Sequence, residues 1–198
     1  IHVTNGALTA GNSGIITVIN GVATKYIINN PTDGTVDNNI TVTVELQDIN
    51  NNIVTVGLDK DKDVTLNGDG SVTGDTLVNI NNGVGTLSLN NHVAETVNLS
   101  LTDSQSTMFN VASTQDVIFA HGVATKYVIT NPTDGTVDSA IPVTVTLQDQ
   151  YTNTITTGAD KDKDVTLNVD GSATGGSVVS ITNGTGSLNI SDHVAETV

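Results

Sequence analysis

The chain has 198 residues, with 21 acidic side chains against six lysines and no arginine, for a formal net charge of −15. That balance repels nucleic acid and anionic lipid, leaves no basic face to override the repulsion, and attracts divalent cations. The absence of cysteine rules out disulfides and thiolate metal sites, and with only 3% aromatics the apolar content is Val, Ile and Leu, which is strand material.

Residues 1–20 hold two β-like runs, Ile1 to Thr4 and Ile15 to Ile19, separated by Gly6, Gly11, Asn12 and Gly14. From Gly21 onward the sequence repeats itself at a fixed offset. Residues 21–97 and 122–198 align without a gap, and 51 of the 77 positions are identical. A solenoid unit is roughly 20 to 50 residues long, whereas a repeat of about 100 is the size of a small folding domain. The expected division is therefore an N-terminal strand segment over 1–14, a first repeat over 15–103, a linker over 104–115 and a second repeat over 116–198.

Within each copy, turn residues recur at intervals of about 8 to 12, the spacing of an all-β sandwich or barrel. Val22 to Ile28 reads as a strand closed by Asn30-Pro31-Thr32-Asp33-Gly34. Ile40 to Asp48 alternates, placing Ile40, Val42, Val44 and Leu46 on one face. In the second copy Ile141 to Leu147 does the same, with Pro142 facing outward, which suits an edge or a strand start. Asn82-Gly83 predicts a type I′ hairpin, since both residues tolerate positive φ. Counting back from it puts Val78, Ile80, Leu87 and Leu89 on one buried face, and Asn183-Gly184 gives Val179, Ile181, Leu188 and Ile190 the same role. Ala94 to Asp103 reads as the last strand of the first copy, with Val97, Leu99 and Leu101 inward. The second copy reaches only Val198, the equivalent of Val97, and is expected to lack a last strand of its own.

The order ATKYxI, VTVxLQD, a polar turn, DVTLNxDGS, an Asn-Gly hairpin and AETVNLS resembles the bacterial immunoglobulin-like domains that occur in tandem in invasin- and intimin-like adhesins and in surface-layer proteins. The resemblance implies two tandem immunoglobulin-like β-sandwiches, an extracellular setting at the cell surface, a spacer or stalk role, and no catalytic residues to carry over. The turn after Gln47-Asp48 is Ile49-Asn50-Asn51-Asn52, where that family often has glycine.

The densest acidic clusters are Asp59, Asp61 and Asp63 and their counterparts Asp160, Asp162 and Asp164. On an extended strand each trio would share one side and could give Ca²⁺ two or three of the six to eight oxygens it takes. A charged edge that discourages stray strand pairing explains the same residues. No other cofactor is suggested, and no constellation for catalysis recurs at matched positions. Lys25 and Asn98 stand where some Gram-positive surface domains form an isopeptide bond, although lysine is common there without one.

Two functional readings follow. In the first, the chain is the subunit of a cell-surface filament or layer whose partners are copies of itself, joined head-to-tail by strand donation. Placed after Val198 of a neighbour, Ile1 and Val3 fall where Leu99 and Leu101 lie in the first repeat, which makes residues 1 to about 8 a candidate donor strand. In the second, the chain is a Ca²⁺-stiffened stalk segment of a larger tandem-repeat adhesin. Neither reading involves nucleic acid or direct membrane insertion.

Overall fold

A computed structural model describes residues 2–198 of the chain. Its strands are β1 (His2–Asn5), β2 (Leu8–Asn12), β3 (Ala23–Ile28), β4 (Gly34–Thr35), β5 (Ile40–Asp48), β6 (Val64–Gly68), β7 (Leu77–Val78), β8 (Val84–Leu89), β9 (Glu95–Thr102) and β10 (Gln115–Ala120). They continue with β11 (Lys126–Thr130), β12 (Ile141–Gln148), β13 (Val165–Thr166), β14 (Val178–Val179) and β15 (Thr185–Ile190). The all-β class expected from the turn spacing is what the chain adopts.

The first repeat is a sandwich of two sheets, ordered β3-β5-β8 and β4-β10-β9-β6-β7. The β5 alternation sends Ile40, Val42, Val44, Leu46 and Asp48 inward, where they meet Val64, Leu66, Val97 and Leu99 from the facing sheet. Leu87, expected in the core, is only half-buried at its rim. The Asn82-Gly83 turn has φ of 48° and 82°, the two positive values that a type I′ turn needs. Its hairpin is short, however. Only Asn81 and Val84 pair across it; β7 then joins β6 in one sheet while β8 joins β5 in the other. The turn is a crossover between layers, and the register counted from it ends after one pair.

The boundary between repeats differs from the sequence expectation. Residues 104–115 are no free linker, and β10 is no strand of the second repeat. β10 lies antiparallel to β9 and parallel to β4, with Val117 and Phe119 fully inside the first core. Upstream of it, residues 109–113 run along the outer edge of β3: Tyr26 N–H donates to the Asn110 carbonyl at 2.9 Å, Asn110 N–H to the Thr24 carbonyl at 2.9 Å, and Ile28 N–H to Ser113 Oγ at 3.0 Å. Phe109 then covers Tyr26, with the rings tilted by 51° at 5.9 Å.

The second repeat keeps β11-β12-β15 as one sheet and β13-β14 as the remnant of the other. Pro142 is the second residue of β12, opposite Asn189 and beyond the last β11 pair at Thr144, so its missing donor falls at the strand start. The N-terminal region departs from expectation as well. His2–Asn5 pairs with Leu8–Asn12 in a two-stranded hairpin, whereas Ile15–Ile19 forms no strand and lies exposed.

Candidate functional site

The repeats are joined by a carboxylate clamp that both copies build from the same residues. In Gln-Asp-x-x-x-Asn the chain turns back directly after β5 or β12, so the aspartate is buried beneath its own turn. Asp149 Oδ1 accepts the N–H groups of Tyr151 and Asn153, both at 2.9 Å, and Oδ2 accepts Gly122 N–H at 2.8 Å and the Asn153 side-chain amide at 2.9 Å. Asp48 repeats this with Asn50, Asn52 and Gly21. Hydrogen bonds from the Asn52 side chain and the Gly21 N–H hold the Asp48 carboxyl at a pKa of about 2. Burial pushes Asp149 up, but the bonds from Asn153, Gly122 and Tyr151 outweigh it and hold it low.

From this clamp the second repeat grips the first. Asn153 accepts Ala94 N–H through Oδ1 and donates through Nδ2 to the His92 carbonyl, each at 2.9 Å. The His92 ring stacks on Tyr151 at 4.0 Å with an 8° interplanar angle. On the other side Asp37 accepts Val123 N–H at 3.0 Å and the Gln150 side-chain amide at 3.1 Å. His121, the residue between β10 and Gly122, accepts Thr157 N–H through Nε2 at 3.0 Å. Asn20 does the same work before Gly21, accepting Thr55 and Val56 N–H at 3.0 and 3.1 Å. The pattern was readable as a recurring Gln-Asp-x-x-x-Asn with a Gly-Val ahead of it, but nothing local announced that the aspartate would be buried.

The aspartate trios do not lie on an extended strand. Residues 59–62 turn, with Lys62 N–H donating to the Asp59 carbonyl at 3.0 Å, and β6 begins only at Val64. Asp61 accepts Asn82 N–H at 2.9 Å and Asp63 accepts Ile80 N–H at 2.8 Å, stapling the loop to the crossover hairpin. Asp162 and Asp164 bind Asn183 and Ile181 in the same way, and Asp160 pairs with Lys163. Among the described residues no group of three or more His, Cys, Asp or Glu is gathered to hold a metal ion. Lys25 reaches Asn51, while the Asn98 amide donates to Asp116 at 2.7 Å.

The donor-strand residues divide. Ile1 lies outside the described residues, and Val3 pairs with Gly11 inside the β1–β2 hairpin, its side chain exposed.

The second repeat presents an open flank. Tyr26, Ile28 and Val36 are 1%, 1% and 0% exposed in the first repeat, whereas Tyr127, Ile129 and Val137 are 38%, 53% and 38% exposed in the second. Among the described residues, the second repeat has only residues 196–198 where β9 starts, and nothing holds the places of the rest of β9, of β10 and of the 109–113 strap. Two hollows mark the gap. One of about 590 Å³ lies against Gly135, Thr136, Val137 and Ile141, and one of about 350 Å³ against Ile129, Val143, Leu167 and Val169.

No protein-family profile and no curated protein sequence matches the chain. Among solved structures, it is similar to FdeC, an Escherichia coli adhesin, at 15% identity and a TM-score of 0.47, covering 89% of this chain and 58% of that one. Similarity to the D0-D1 domain of intimin is at 20% identity and a TM-score of 0.37, covering 87% and 86% of the two chains. Domains 4-9 of the surface-layer protein SbsC are similar at 14% identity and a TM-score of 0.35, covering 89% of this chain and 28% of that one. The chain thus spans a little over half of the first and under a third of the third. Its structural neighbours are adhesin and surface-layer domains, the proteins that its sequence pattern resembles.

Proposed function

We propose that the chain is a structural, non-catalytic module of the cell surface, a subunit of an extracellular filament or layer whose copies join head-to-tail by strand donation. The observation that carries this is the flank of the second repeat, where side chains buried in the first repeat stand in solvent beside unpaired backbone. Such a face is costly in water and favours association. The donor is at hand: among the described residues β1 pairs with β2 and with no other strand, and an isolated two-stranded hairpin is marginal in water, so β1 is cheap to release. With Ile1 and Val3 in the places of Leu99 and Leu101, the contact is heterologous and builds a fibre. A second reading, a stalk segment in a larger adhesin, draws on the hydrogen-bonded grip between the repeats, which suits a stiff rod.

Electron microscopy of the chain with and without residues 1–6 tests the first reading. The expected result is filaments from the whole chain and soluble subunits with a weakened second repeat from the shortened one. Filaments that persist after the deletion would overturn donation by that segment.

A further inference from the structure

We infer that residues 15–19 of one copy lie as a parallel strand on Gly135–Thr136 of another, and that Asn20 and Gly21 then carry the grip between repeats across to the next molecule. The inference rests on the head-to-tail reading but names a different segment and a fixed register.

The repeat offset supplies the register. Ile16 and Val18 stand at the positions of Val117 and Phe119, the two β10 residues that fill the first core, yet they lie exposed. Thr17 stands at the position of Ile118, which is 45% exposed on the outer side of β10. Further upstream, Leu8 matches Phe109, which covers Tyr26, and Asn12 matches Ser113, which binds the β3 edge. Downstream, Asn20 and Gly21 occupy the clamp of the first repeat as His121 and Gly122 occupy that of the second. Residues 8–21 therefore have the sequence pattern of the segment that closes one repeat and enters the next, and among the described residues no sheet pairs with 15–19.

The receiving face repeats too. In the first repeat β10 is held by Asp33, which accepts Ile118 N–H at 2.8 Å, and by Val36 N–H, which donates to the Ala120 carbonyl at 2.9 Å. Asp134 and Val137 are their equivalents and stand exposed beside the larger hollow. They are placed to take Thr17 N–H and the Ile19 carbonyl. Asp138 is placed to take Val22 N–H as Asp37 takes Val123 N–H, and Asn52 to take Ala195 N–H as Asn153 takes Ala94 N–H. The occupant is thus a second copy, bound through a duplicate of the interface that already joins the repeats.

The natural chain has no cysteine, so engineered disulfides report the register directly. In the first repeat Ala120 pairs with Thr35, which makes Ile19 and Thr136 the matching pair between copies. Mixing Ile19→Cys and Thr136→Cys chains under mild oxidation should give a covalent heterodimer on a non-reducing gel, and replacing Ile19→Cys by Ile15→Cys should give none. Independently, Ile16→Asp with Val18→Asp should weaken association by at least about 100-fold in sedimentation, since each charge would be buried unpaired, while Thr17→Asp leaves it within about threefold. Both pairs of sites are exposed in the free chain, so folding is not at stake. Polymers that form without the Ile19–Thr136 link and survive the double aspartate variant would overturn this strand assignment and leave head-to-tail assembly standing. A chain that stays monomeric at high concentration would overturn both.

Discussion

The two repeats share two thirds of their aligned residues and the same central sheet, yet one is a closed sandwich and the other is open along a flank. Val143, Val145 and Leu147 of β12 are buried as Val42, Val44 and Leu46 of β5 are, and only Ile141, facing the open flank, is less buried than its counterpart Ile40. What differs is everything that residues 98–120 add to the first repeat: the rest of β9, the strap beside β3, and β10 with Phe119. The lesson is that a side chain's burial here is set by a segment that follows the repeat, not by the repeat's own sequence. Tyr26 and Tyr127 both donate to a lysine carbonyl at 3.0 Å, but Tyr26 lies under Phe109 and is 1% exposed whereas Tyr127 is 38% exposed; burial pushes the Tyr26 hydroxyl pKa up to about 12.

The sharpest way to break the contrast is Phe119→Asp. A lone charge in the first core costs about 3–5 kcal/mol or more, so the first repeat should lose its melting transition while the second keeps its own. Loss confined to the second repeat would return β10 to the place that the sequence suggested. A smaller effect separates equivalent residues: Ile28→Ala should cost about 2–5 kcal/mol in chemical denaturation, and Ile129→Ala, on an exposed flank, under about 0.5 kcal/mol in the monomer. Equal costs would mean that the flank is closed in solution. Smallest, and shared by both repeats, is the acid response of the clamps. The Asp48 carboxyl is depressed to about 2 when folded, below its ordinary value near 3.9, so its contribution is fully present above about pH 4. It is lost as the pH falls towards about 2. Asp48→Asn should flatten the decline of melting temperature across that window, and an unchanged slope would count against the clamp.

Much of this architecture was legible in the sequence. The β5 alternation placed Val42, Val44 and Leu46 inside, and Asn82-Gly83 adopts the two positive φ values that its turn type demands. These features are local, and local chemistry decides them. What could not be read were choices among partners. Asp116 to Ala120 is an apolar alternating run that fits either repeat, and only the free edges of β9 and β4 assign it to the first. The same indifference hides in Ile15 to Ile19, a good strand sequence that joins no sheet among the described residues. The aspartates of Asp59 to Asp63 alternate as if extended, but their acceptors are better used binding the hairpin N–H groups, which bends the chain into a turn. Nothing local marks Asp48 and Asp149, because burial of a carboxylate shows only when the turn that covers it is in view.

The most direct test of strand exchange between copies is amide hydrogen exchange at increasing protein concentration. Protection should rise together over residues 14–19 and 126–138 as the chains associate, while Ala23–Asp48 of the closed repeat stays constant. Exchange in both segments that is fast and independent of concentration would contradict it.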